Sequence, residues 1–190
     1  MATEQELSDF LKSVEKRAFK RAVWQVRDDD AALDIVQDSM LKLAQRYGDR
    51  PAQELLLLFQ RILANQTMDW FRRQKTRDAH LASAADLIGG DEEEGGPDAL
   101  EVLQAIAGAE AAAESAETSL SRREVLRLIE KALQELPARQ REAFLLRYWE
   151  ELDVAETAAV MGCSVGSVKT HCSRATQALA RTLQAQGISP

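Results

Sequence analysis

Residues 132–183 read ALQELPARQREAFLLRYWEELDVAETAAVMGCSVGSVKTHCSRATQALARTL. This stretch decides the fold class. Within it Ala158, Gly162 and Val168 stand at the spacing A-x3-G-x5-V. Two helices crossing at a tight turn need a small residue at the crossing, a glycine that accepts positive φ, and an apolar anchor in the second helix. Ser164 is placed to cap that second helix, since its hydroxyl can accept from an unpaired backbone N–H. Val165 and Val168 are expected to face inward. Ser167, Lys169, Thr170, His171, Ser173 and Arg174 then supply a polar face with two fixed positive charges, suited to a major groove. Upstream, Leu133, Leu136, Phe144, Leu145 and Tyr148 provide apolar faces for two preceding helices, and Pro137 is suited to starting the second. The competing reading of this segment is a plain helical bundle with no nucleic-acid role.

The net charge of −7 over 190 residues argues against a nucleic-acid binder until it is divided along the chain. Residues 1–77 carry 14 basic and 12 acidic side chains, a net of +2. Residues 78–120 carry 11 acids and no Lys or Arg. Residues 121–190 return to +2, with 10 basic and 8 acidic residues. Both outer parts are mildly basic, and the excess acid is confined to the middle. The acid, glycine and small-residue content of 78–120 predicts a flexible linker, with Leu100, Val102, Leu103 and Ile106 as a short docking helix inside it. The organisation expected is therefore all-α: a helical domain over 1–77, an acidic linker over 78–120, and a second helical domain over 121–190.

An opening helix is predicted from Glu4 to Val26. Its apolar stripe runs Phe10, Leu11, Val14, Ala18, Phe19, Ala22 and Val26, with Lys12, Lys16, Arg17, Lys20, Arg21 and Arg27 around it. The triplet Asp28, Asp29 and Asp30 signals the start of a second helix, over about Ala31–Tyr47. Leu33, Val36, Met40, Leu41 and Ala44 are its expected buried side, and Asp34, Gln37 and Asp38 share another face. After a turn at 48–51, a third helix is predicted from Gln53 to about Arg77. Leu56, Phe59, Ile62, Leu63, Gln66 and Trp70 lie close to one face of it, and Trp70 and Phe71 are expected in the core. Asn65 and Asp69 sit one turn apart on another side, and Arg72, Arg73, Lys75 and Arg77 make a basic end able to meet phosphates.

The longest strongly apolar cluster, Leu55–Phe59, is far too short to span a bilayer, and MATEQELSDF lacks the basic-then-apolar pattern of a signal peptide. A cytoplasmic protein without membrane insertion is expected. Cys163, Cys172, His80 and His171 have no metal-site spacing, so no metal or cofactor is predicted, and the cysteines read as small apolar fillers. No phosphate loop, nucleophile–base pair or paired-carboxylate pocket emerges, and no bond chemistry is expected.

Four stretches carry a family resemblance. LQELPARQREAFLLRYWEE and SVGSVKTHCSRA resemble the opening helices and the recognition helix of the C-terminal promoter-binding region of bacterial sigma factors of the extracytoplasmic-function class (group 4 of the sigma-70 type). LDIVQDSMLKL resembles that class's core-polymerase-binding helix, and ILANQTMDWFRRQK its promoter −10 helix. The run DVAETAAVM departs from the pattern, with Thr157 where isoleucine is common, which predicts looser packing of that helix. The resemblance implies that Asp34, Gln37 and Asp38 meet the clamp helices of the largest polymerase subunit. It implies that Asn65, Asp69, Arg72 and Arg73 act at the −10 element, and that Ser164, Ser167, Lys169, Thr170, His171, Ser173 and Arg174 act at the −35 element. It places the loop from Tyr47 to Gln53 where the family captures an unstacked base. The polymerase flap, promoter DNA and an anti-sigma factor are the other partners it implies. The alternative is a stand-alone helix-turn-helix regulator binding duplex operator DNA.

Overall fold

A computed structural model describes residues 3–78 and 116–186. The described residues are helical, with no strand among them, and they fall into two compact units. Helices α1 (Glu4–Val26), α2 (Asp29–Tyr47) and α3 (Ala52–Asp78) make the N-terminal unit. Helices α4 (Ala116–Glu135), α5 (Ala138–Phe144), α6 (Val154–Met161) and α7 (Val165–Ala185) make the bulk of the C-terminal one, with a π-helical segment, Leu145–Trp149, after α5. Most of the acidic segment, with the docking helix expected around Leu100–Ile106, lies outside the described residues. Its C-terminal edge is helical: α4 begins at Ala116, five residues before the expected boundary at 121, because Ala, Glu and Leu there continue the helix. Among the described residues, no helix is long and apolar enough to cross a membrane.

The N-terminal helices begin and end where their caps dictate. Thr3 and Glu6 form a reciprocal capping box: the Glu6 N–H donates to Thr3 Oγ1 at 3.2 Å, and the Thr3 N–H donates to Glu6 Oε2 at 2.7 Å. Arg27 closes α1 in the left-handed conformation (φ 61°), its N–H donating to the Val23 carbonyl. Asp28 then caps α2, accepting from the Ala31 N–H at 2.9 Å, while Asp29 and Asp30 lie in the positive first turn. At the end of α2, a Cβ on Gly48 would stand 2.7 Å from the Ala44 carbonyl oxygen, which makes a side chain there costly.

The three helices enclose one core of Ala18, Ala22, Val26, Ala32, Ile35, Val36, Leu43, Leu55, Phe59 and Leu63, with Phe10 packed edge-on to Phe59. Each large apolar side chain fully enclosed there contributes roughly 2 kcal/mol. The inward face of α2 differs from the expected one. Val36 is buried, and Met40 and Ala44 are half-buried, but Leu33 and Leu41 are 44% and 54% exposed. Ala32, Ile35, Ser39 and Leu43 take the inner positions instead. Small residues let the helices approach closely, and Ser39 offsets its polarity by donating to the Ile35 carbonyl at 2.6 Å.

Arg21 also departs from expectation. It leaves the basic face of α1 and lies buried, its guanidinium donating to Oε1 of buried Gln60. Gln66, close to the apolar face of α3, is buried. Trp70 and Phe71 are half-buried at the edge of the unit, with their rings edge-to-face at 5.1 Å between centroids. Leu56, read as part of the apolar face of α3, is 41% exposed.

In the C-terminal unit α7 packs against α4 and α5. Ile129, Leu133, Leu136, Phe144, Leu145, Val168, Ala175 and Leu179 are buried. Pro137 opens α5, and buried Arg141 ties that helix to the end of α4 by donating to the Gln134 carbonyl at 3.1 Å. The π-helical segment ends where the Glu150 N–H reaches the Leu145 carbonyl and Glu151 takes positive φ (59°). A second capping box then starts α6: the Asp153 N–H donates to Glu156 Oε2 and the Glu156 N–H to Asp153 Oδ1, both at 2.8 Å. Thr157 is fully buried, and its hydroxyl donates to the Asp153 carbonyl at 2.7 Å, so the residue expected to loosen α6 is accommodated.

Candidate nucleic-acid interface

The turn between α6 and α7 follows the spacing read from the sequence. Gly162 has φ 64° with no atom within 4 Å of a Cβ, so it is the backbone angle that selects glycine there. The Cys163 N–H donates to the Ala158 carbonyl at 3.1 Å, which closes α6. Ser164 caps α7, accepting from the Ser167 N–H at 3.0 Å, and the two hydroxyls lie 2.9 Å apart. Val168 is fully buried, as expected; Val165 is 44% exposed, because it falls in the first turn, before the helix is covered.

Burial along α7 divides its polar residues. Val168, Cys172, Ala175, Thr176, Leu179 and Leu183 form the inward stripe. Ser167, Thr170, Ser173 and Arg174 recur at helical spacings on the opposite side, and none of them is buried. Lys169 is exposed on one flank of that stripe. His171 is half-buried on the other flank, with Nδ1 enclosed and lacking a hydrogen-bond partner. Burial, then the Arg139 and Arg174 guanidiniums, hold the imidazole below its ordinary pKa of 6.5. The seven residues therefore divide into a cap (Ser164), an outward stripe and two flanks. Sequence reasoning stopped one turn early: Gln177 and Arg181 continue the stripe beyond Arg174, and Arg181 is exposed. Arg139, from α5, was also missed. Its side chain is 47% exposed and ion-paired at 3.4 Å to the buried Glu142 carboxylate.

The polar set on α3 comes together as its spacing requires. Asn65, Asp69, Arg72 and Arg73 are all exposed and lie on one side of the helix. Asp69 organises the two arginines: its carboxylate pairs with Arg72 Nη1 at 3.0 Å, and its carbonyl accepts from Arg73 Nε at 3.3 Å. Lys75 is exposed beyond them. Such a face offers an amide and guanidiniums to bases and phosphates.

The third surface differs in chemistry. Asp34, Gln37 and Asp38 are exposed on α2, and exposed Leu33 and Leu41 are their neighbours on the same side. Two large apolar side chains among carboxylates suit a protein partner with basic and apolar groups, and the negative charge is repelled by nucleic acid.

Comparisons with known proteins give these surfaces a common context. The family described as Sigma-70, region 4 matches residues 126–179, the part that holds the helix-turn-helix. Across 184 residues the chain is 23% identical to the RNA polymerase sigma-E factor of Streptomyces avermitilis, spanning 96% of this chain and 88% of that protein. It is 26% identical over 172 residues to the RNA polymerase sigma factor SigV of Bacillus subtilis, spanning 90% and 87%. Identity to the RNA polymerase sigma-H factor of Pseudomonas aeruginosa reaches 37% over 71 residues, 37% of each chain. Among solved structures, the fold is similar to the sigma factor RpoE of Bartonella quintana, crystallised with the anti-sigma factor NepR. The TM-score is 0.62 at 24% identity, covering 95% of this chain and 96% of that one. With a Sigma-70, region 4 match in its C-terminal unit and relatives aligned across both units, the chain is similar over nearly its whole length to RNA polymerase sigma factors.

Proposed function

We propose that the two units divide promoter recognition between them, with the N-terminal unit also holding core polymerase. In this reading Asp34, Gln37 and Asp38, with Leu33 and Leu41 beside them, meet the clamp helices of the largest polymerase subunit. Asn65, Asp69, Arg72 and Arg73 act at the −10 element, where strand opening exposes bases and backbone. The outward stripe of α7 reads the duplex −35 element, since a helix presents polar groups to major-groove edges without melting DNA. The C-terminal unit also meets the polymerase flap, and an anti-sigma factor holds the chain inactive. The relative crystallised with NepR is a precedent for such a partner. The work is binding and positioning in the cytoplasm, with no bond chemistry assigned to this chain.

The observation that carries the reading is the α2 face: exposed leucines among exposed acids, on a unit whose other helix offers arginines. A stand-alone regulator reading operator DNA through α7 has no use for such a surface, and the relatives align through it. Reconstitution tests the proposal. Core polymerase plus the full chain should start transcription at a defined set of genomic positions sharing two upstream sequence elements. Selective duplex binding by the chain alone, with no starts when core is added, would favour the regulator.

A further inference from the structure

His171 is the least regular member of the α7 face, and its surroundings restrict what it can do. The ring is half-buried, and the nitrogen that is enclosed without a partner is Nδ1. The open edge of the ring is therefore the one that carries Nε2. A neutral imidazole bears a proton on one nitrogen and a lone pair on the other. The enclosed nitrogen decides between them. The nearby cations are Arg139 on α5, held by the Glu142 carboxylate at 3.4 Å, and Arg174, one turn further along α7, and both charges oppose a second proton on the ring. The turn residue Cys163 lies near the same Arg139–Glu142 pair, and burial keeps its thiol protonated. Enclosure leaves no acceptor for an N–H at Nδ1, so the lone pair goes to Nδ1 and the proton to Nε2. A buried N–H with no acceptor would also be the costlier orphan.

We propose that His171 is a specificity-determining residue of the recognition helix, presenting Nε2–H as an uncharged, directional donor to a base edge. The proposal rests on the assignment of α7 to the −35 element. In the major groove guanine, adenine and thymine each present an acceptor, whereas cytosine presents only a donor, its N4 amino group. The position facing His171 therefore accepts G, A or T and rejects C on the strand it reads. Because burial, and then the two arginines, disfavour a second proton, the residue adds no fixed charge near neutral pH. Its contribution is then independent of salt, unlike that of Lys169 or Arg174.

The test uses holoenzyme reconstituted from core polymerase and the full chain, with a duplex library randomised across the −35 element, at two salt concentrations. The wild type should disfavour C at one position by about tenfold, the scale of one good hydrogen bond in a dry site. H171A should lose that discrimination while keeping the other preferences and the salt slope. H171Q, which keeps an uncharged N–H but adds a carbonyl acceptor able to take the cytosine amino group, should relieve the rejection of C while keeping overall affinity, and also controls for folding. Discrimination that survives H171A overturns the histidine assignment alone. So does a uniform loss across the library with a shallower salt slope, since that marks a phosphate anchor. Absence of any −35 preference in the wild type overturns both the assignment of α7 and the role of His171.

Discussion

Asp69 and Arg72 are joined across one turn of α3 at 3.0 Å, with both side chains largely in solvent. Asp69 also accepts, through its carbonyl oxygen, from Arg73 at 3.3 Å. An exposed pair of this kind adds no more than about 0.5 kcal/mol to stability. What it supplies is direction, holding one guanidinium along the helix face shared with Asn65. Asp69→Ala should therefore leave the thermal midpoint within about 2 °C of the wild type. It should reduce open-complex formation several-fold in permanganate footprinting. Asn65→Ala should lower opening more than it lowers core affinity. Replacing both Arg72 and Arg73 should weaken DNA binding and flatten its salt dependence by roughly 0.7–0.9 in log–log slope per lost contact. Normal opening by the Asp69 variant would reduce the pair to an ordinary surface contact.

Arg21 and Gln60 make a different kind of pair, inside the N-terminal core. Taking away Gln60 removes one hydrogen bond from a guanidinium held away from water. Gln60→Leu should cost about 2 kcal/mol in urea unfolding. Pairing it with Arg21→Met should recover much of that loss, since two apolar side chains of similar volume need no desolvated charge. A neutral Gln60→Leu would mean that the Gln60 contact contributes little to holding Arg21.

Both ends of the pH range should show α7. Burial, the larger cause, pushes the Cys172 thiol up to about 11 from its ordinary 9.0. Its contribution to stability is complete below pH 9 and is lost as pH rises from there through about 11. His171 is shifted the other way, below 6.5, so its contribution is complete above pH 6.5 and is lost as pH falls below that value. At pH 8 the shift leaves Cys172 with about 100-fold less thiolate than an ordinary thiol. Iodoacetamide with mass spectrometry should therefore modify half-buried Cys163 well before Cys172 in the folded protein. Equal rates would contradict the burial of Cys172.

The sequence was most legible where local chemistry fixes local structure. The glycine with positive φ at 162, the Ser164 cap and the inward Val168 were all readable, because each depends on its neighbours in the chain. The start of α2 at the aspartate triplet followed for the same reason. What escaped depends on partners distant in sequence. Leu33 and Leu41 looked like core by hydrophobicity alone, yet close helix packing prefers Ala32 and Ser39. Arg21 looked like surface, because its acceptor Gln60 lies 39 positions away. Arg139 was missed because it reaches the neighbourhood of the recognition helix from α5. The six residues from Ser167 to Arg174 were read as one face, whereas burial divides them into a stripe and two flanks.

The central claim is that α2 binds core polymerase through a mixed leucine and acid face. It is tested most directly by titrating core polymerase into the fluorescently labelled full chain carrying Asp34→Lys and Asp38→Lys, with circular dichroism as the check on folding. Both carboxylates are exposed, so the fold should be unchanged, and reversing their charge against a basic partner should raise the Kd by at least about tenfold. A correctly folded variant that binds core as tightly as the wild type would contradict the account.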